Sequence, residues 1–82
     1  VAYRITYVGL ADVTRTRLPK DRRQALDEAM SRTIGHDPYG HGSNAPKKGE
    51  RDYRQAVVAD MLVVYYVSAS VLTVTAVKLI NL

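Results

Sequence analysis

The sequence predicts an α+β domain of the order β-α-α-β-β-β, with a helical hairpin packed on an antiparallel sheet. Three observations carry this expectation. Apolar residues alternate at period two near the N-terminus, then recur at helical spacing, then form long runs rich in Val, Thr and Tyr from residue 53 onward. The step Leu18-Pro19 divides the helical stretch, and a polar segment rich in Gly and Pro separates it from the later runs. The turns between those runs are short enough to demand antiparallel neighbours.

Each element has its own justification. Tyr3, Ile5 and Tyr7 alternate with Ala2, Arg4 and Thr6, which predicts a half-buried strand over 2–8. Leu10, Val13, Thr14 and Leu18 fall at helical spacing, with Arg15 and Arg17 turned elsewhere. The fixed φ of Pro19 suits the first turn of a second helix. That helix carries a stripe of Arg22, Leu26, Ala29, Met30, Thr33 and Ile34. Arg23 with Asp27, and Glu28 with Arg32, stand at i, i+4, where a pair adds roughly 0.5 kcal/mol at most. The helix is expected to end near His36-Asp37-Pro38. The segment DPYGHGSNAPKKGE then reads as a loop, and one this long in a small domain is either functional or disordered. Strands follow over 53–58, 61–67 and 71–80, turning at Ala59-Asp60 and at Ser68-Ala69-Ser70 as a meander. With no repeat and no linker, residues 1–82 form a single domain.

Composition narrows the function classes. A chain of 82 residues makes one domain. At this size roughly 60–65% of the unfolded surface is buried on folding. There is no cysteine, hence no disulfide framework and no thiolate zinc site, a pattern that suits a cytoplasmic protein. The start VAYRITYV does not read as a signal peptide. The nearest approach to a membrane span is 61–77, seventeen uncharged residues. Its Val, Thr and Tyr content and the Ser68-Ala69-Ser70 break favour a hairpin, so no membrane partner is expected.

The formal charge is +4, and its placement is informative. Five cations and one anion occupy 15–23, while Lys47, Lys48, Arg51 and Arg54 stand against Glu50 and Asp52 in 47–54. Clusters of this kind attract phosphate by releasing condensed counterions, although a helical charge run also serves as a plain solvated face. Arg54 alternates with Ala56 and Val58 and is the best single phosphate-binding candidate, the alternative being a surface pair with Asp52. Lys78 is a lone charge in an apolar strand, either lining a groove or guarding a sheet edge. Tyr65 and Tyr66 must point to opposite faces, one to the core and the other to packing or base stacking. His36 and His41 lie five residues apart near Asp37 without a third ligand, so no metal and no cofactor is expected.

The joint order of these motifs resembles the RelE/ParE superfamily of bacterial toxins. Leu18-Pro19 matches the Leu-Pro step before that family's second helix, and Asp37-Pro38 matches an Asp-Pro near its end. Tyr53-Arg54 matches the aromatic-basic start of the strand after the loop. Ala59-Asp60-Met61-Leu62-Val63-Val64-Tyr65 stands where the family reads Gly-Asp-aromatic-Arg-hydrophobic-hydrophobic-Tyr. The chain departs from RelE-type ribonucleases at Leu62, where many carry arginine. It departs again at the end of the last strand, which offers Lys78, Ile80 and Asn81 in place of a His, Arg or Tyr.

The resemblance implies the toxin of a type II toxin–antitoxin system, a metal-independent, ribosome-dependent mRNA endoribonuclease that inhibits translation and arrests growth. The alternatives it leaves open are a ParE-like inhibitor of DNA gyrase and a catalytically degenerate binding module neutralised by an antitoxin. On the first reading Arg54 and Lys78 are catalytic, and Lys47, Lys48, Arg51 and Tyr66 bind RNA. Attack by a 2′-OH needs a base, and neither arginine nor an exposed lysine is a natural one at neutral pH. The implied partner is a cognate antitoxin in a hetero-oligomer, its acidic segment meeting Arg15, Arg22 and Arg23.

Overall fold

A computed structural model describes residues 2–82. Strand β1 (Arg4–Tyr7) is followed by helices α1 (Gly9–Arg17) and α2 (Lys20–Arg32). After the loop come β2 (Tyr53–Val58), β3 (Met61–Ser68), a short 3-10 turn (Ala69–Val71) and β4 (Thr73–Asn81). The four strands form one sheet in the order β1-β4-β3-β2. β2, β3 and β4 are the expected antiparallel meander. β1 instead runs parallel to β4, so the sheet is mixed, a correction to the all-antiparallel expectation. Turn length governs only neighbours in sequence. The sense of β1 is set by the helical crossover that separates it from the meander.

One face of the sheet is the core. Leu26, Met30 and Ile34 bury completely against Met61, Val63, Tyr65, Val67, Val74 and Ala76, with Tyr3, Ile5 and Tyr7 packed at the side. The α2 stripe is therefore as its periodicity indicates. α1 is not: Ala11 is fully buried and Leu18 nearly so, whereas Leu10 is 65% exposed and Val13 46%. The helix lies against β4 and β1 through its smallest side chain, which rotates the apolar stripe outward and Arg15 inward.

Arg15 donates to both carboxylate oxygens of Asp27, at 2.9 and 2.5 Å, and its guanidinium lies 5.0 Å from the centre of the Tyr7 ring. This inter-helix pair replaces the expected Arg23–Asp27 pair; among the described residues Glu28 and Arg32 form no ion pair either. Arg23 donates instead to the carbonyls of Thr16 and Leu18 at the C-terminal end of α1, where a cation meets the negative end of the helix dipole. Pro19 is the cap of α2 rather than part of its first turn.

Two backbone features shape the rest. Ala59 and Asp60 both have positive φ, 49° and 64°, as a two-residue hairpin turn requires. Between β3 and β4 the register shifts: Val64 pairs with Lys78 but Tyr65 pairs with Ala76, leaving Val77 as an extra residue.

Candidate nucleic-acid interface

The sheet face away from the helices is built from residues that alternate with the core set. Cross-strand pairing lines them up in rows: Val57, Leu62 and Ile80; then Gln55, Val64 and Lys78; then Tyr53, Tyr66, Thr75 and Thr6. Val57, Tyr66 and Ile80 are exposed at 61%, 41% and 40%, so the face is open. Lys78 belongs to it because of the bulge. Were Val77 paired regularly, Lys78 would share the core face with Ala76; the bulge instead buries Leu79 and points Lys78 outward. The pairing of β4 with β1 ends at Tyr7 and Ala76, so Lys78 has a strand neighbour only on the β3 side.

Arg54 lies on the other face, with Ala56 and Val58, so the two catalytic candidates are not brought together. Its guanidinium is committed to the loop. Nε donates to Ser43 Oγ at 3.1 Å and Nη1 to the Arg51 carbonyl at 3.0 Å. Nη2 reaches the carbonyls of Ser43 and Tyr39 at 3.3 and 3.4 Å. Asp52 is not its partner; Asp52 accepts from the Tyr39 hydroxyl at 2.6 Å, and this bond, foremost, pushes the Tyr39 pKa up.

Other contacts hold the same loop. The buried Tyr65 hydroxyl donates to the Pro38 carbonyl at 2.6 Å. Asn44 and Gln55 exchange backbone hydrogen bonds of 3.0 and 2.9 Å, adding a rung to the outer edge of β2. The loop thereby carries Lys47 to the open face, its ammonium 4.7 Å from the centre of the Tyr53 ring. Tyr53 in turn lies 4.8 Å from Tyr66, the rings tilted by 54°. Arg51 sits on Tyr39 at 4.1 Å, away from this group, and Lys48 is exposed.

The structure thus brings together Lys47, Tyr66 and Lys78 with two residues that sequence reasoning did not select for binding, Tyr53 and Gln55. Their signal was present: both alternate with Arg54, so assigning Arg54 to the core face assigns them to the open one. Arg15 and Arg23 have internal partners as described, and Arg22 reaches Asn81 Oδ1 at 3.2 Å, whereas Arg4 is exposed and continues the open face in the row with Thr73 and Ser68. The strand rows of the open face hold no carboxylate and no imidazole. Among the described residues no group of three or more His, Cys, Asp or Glu is placed to hold a metal ion, and no helix is long and apolar enough to cross a membrane. The face presents cations, aromatic rings and hydroxyls, which is chemistry for binding a polyanion and stacking a base.

The whole chain superposes on solved structures. A chain of the toxin–antitoxin complex RelBE2 from Mycobacterium tuberculosis matches with a TM-score of 0.79 at 14% identity, covering 100% of both chains. The fold is that of the RelE toxins. A chain of the archaeal RelE–RelB complex from Pyrococcus horikoshii OT3 matches this RelE-type fold with a TM-score of 0.67 at 16% identity, over 99% of this chain and 96% of that one. No protein-family model and no curated protein sequence matches the chain. Within this RelE-type fold, Leu62 occupies the open face in the row with Val57 and Ile80.

Proposed function

We propose that this chain is the toxin of a toxin–antitoxin pair and acts on mRNA through the open sheet face. The observation that carries the reading is the gathering of Lys47, Tyr53, Tyr66 and Lys78 on that face of a RelE-type fold. The lysines supply phosphate contacts and the rings supply stacking surface for unpaired bases. In the reaction the 2′-oxygen attacks the adjacent phosphorus, a 2′,3′-cyclic phosphate forms, and the bond to the 5′-oxygen breaks as that oxygen takes up a proton from the group that accepted the 2′-OH proton. Lys78 is placed to offset the charge that develops on the phosphate oxygens. The 2′-OH proton goes to a group outside the open face, because that face has no base of its own. The ribosome is the natural source of that group and of substrate positioning.

The same lack of an acid–base pair favours one second reading, a toxin that inhibits by binding a target such as gyrase and does no chemistry. In either case the partner is an antitoxin. Arg15, Arg22 and Arg23 are engaged within the fold, so the exposed Leu10 and Val13 on α1 are the better anchors for an amphipathic segment.

Primer extension on a defined mRNA, with and without translating ribosomes, tests the reading. Cuts that need ribosomes and weaken by at least tenfold in Lys78→Ala support it. Growth arrest on induction without any cut transcript transfers the assignment to the binding-only toxin.

A further inference from the structure

The aromatic end of the open face has a more specific geometry than a basic surface. Tyr66 presents 41% of its area to solvent, and its ring is braced by Tyr53 at 4.8 Å. The far partner of Tyr53 is the Lys47 ammonium at 4.7 Å, so a fixed positive charge lies one ring away from an open aromatic surface. Hydrogen-bonding groups flank the pair. Thr75 follows Tyr66 in its row, and Gln55 stands next along β2, its Nε2 donating to Asn44 Oδ1 at 3.3 Å and its Oε1 free to accept. No anion belongs to these rows. An apolar peptide side chain would be better served by Val57, Leu62 and Ile80 at the other end of the sheet.

Building on the mRNA reading, we infer that Tyr66, Tyr53 and Lys47 form a subsite for one unpaired nucleotide. The base stacks on Tyr66, Tyr53 keeps that ring from turning away, and the flanking phosphate meets Lys47. Stacking on an aromatic side chain tolerates any base and loses its effect when the ring is replaced by an aliphatic group. Lys47 is part of the subsite only while the loop is held, which makes Arg54 a positioning residue for it.

The test is fluorescence anisotropy with two labelled RNA octamers of equal charge, oligoadenylate and an abasic analogue, at about 20 mM salt where phosphate contacts are strongest. The wild type is expected to prefer the octamer with bases by roughly 5- to 100-fold. Tyr66→Leu should remove that preference while leaving the abasic affinity unchanged, and Tyr66→Phe should keep it. Tyr66 is an exposed side chain, and an unchanged Tm of each variant confirms that the fold is intact. Equal binding of the two octamers by the wild type, or a preference that survives Tyr66→Leu, overturns the subsite. A wild type that binds neither octamer yet cuts mRNA on ribosomes overturns the subsite and leaves the functional reading standing. Base-dependent binding without any cut supports the subsite and rejects the endoribonuclease.

Discussion

Arg54 Nε and Ser43 Oγ are 3.1 Å apart, and this contact begins a fan of bonds that ties the long loop to the start of β2. The other nitrogens of the same guanidinium reach the carbonyls of Arg51, Ser43 and Tyr39. A residue with the composition of a phosphate ligand therefore works as a loop clamp. Its planar fork matches several acceptors at once, which a lysine does not reproduce.

Arg54→Ala is expected to loosen the loop and to lower stability by roughly 1.5–3 kcal/mol, the range for hydrogen bonds to a charged group. Amide hydrogen exchange should show faster exchange at Ser43 and Asn44 with little change at Val63. If Arg54 affects RNA through the loop, adding Arg54→Ala to a Lys47→Ala, Lys48→Ala chain should cost no further RNA affinity. A fully additive loss would mean direct phosphate contact instead.

Tyr65→Phe should destabilise the domain by about 1–3 kcal/mol, because it leaves the buried Pro38 carbonyl only the long contact from Ser43 Oγ at 3.4 Å. Urea denaturation is the check. A midpoint equal to the wild type's would show that the Ser43 hydroxyl satisfies the Pro38 carbonyl by itself.

Tyr7 makes stability depend on alkaline pH. Its hydroxyl is buried beside the Arg15–Asp27 pair, and burial, then the Asp27 carboxylate, pushes its pKa up to about 12. A folded-state pKa above the unfolded value leaves stability intact below about pH 10 and erodes it as pH rises toward 12. Melting curves should therefore fall more steeply between these values for the wild type than for Tyr7→Phe. Parallel curves would assign the loss to other groups.

The Ala59-Asp60 turn is a place to gain stability. Both residues are left-handed, and neither is glycine. Asp60→Gly should add about 1 kcal/mol, since glycine adopts this region without steric cost. The expected rise in Tm is roughly 4–8 °C by calorimetry for a domain of this size. A lower Tm would mean that the added freedom of the unfolded chain outweighs the relief.

Lys78→Ala should leave Tm within about 1 °C, because the side chain is exposed. A single lost phosphate contact should reduce the slope of log affinity against log salt by about 0.7. An unchanged slope would remove Lys78 from the interface.

Much of this molecule was legible from residue order. Period-two alternation in Tyr3, Ile5 and Tyr7, the 3.6-residue stripe of Leu26, Met30 and Ile34, and the tight Ala59-Asp60 turn each report local geometry, and each appears as read. The antiparallel meander follows from connections too short for any other pairing. Opposite faces for Tyr65 and Tyr66 follow from strand geometry alone. Tertiary structure decided what depends on partners distant in sequence. The parallel sense of β1 is set by a crossover that no local pattern encodes. The exposure of Leu10 and Val13 follows from close docking of α1 through Ala11. Arg54 is drawn to the loop carbonyls, leaving the open face to Tyr53 and Gln55. The extra residue at Val77 turns Lys78 outward, and a period-two pattern cannot locate such an insertion because the faces on either side are equally regular.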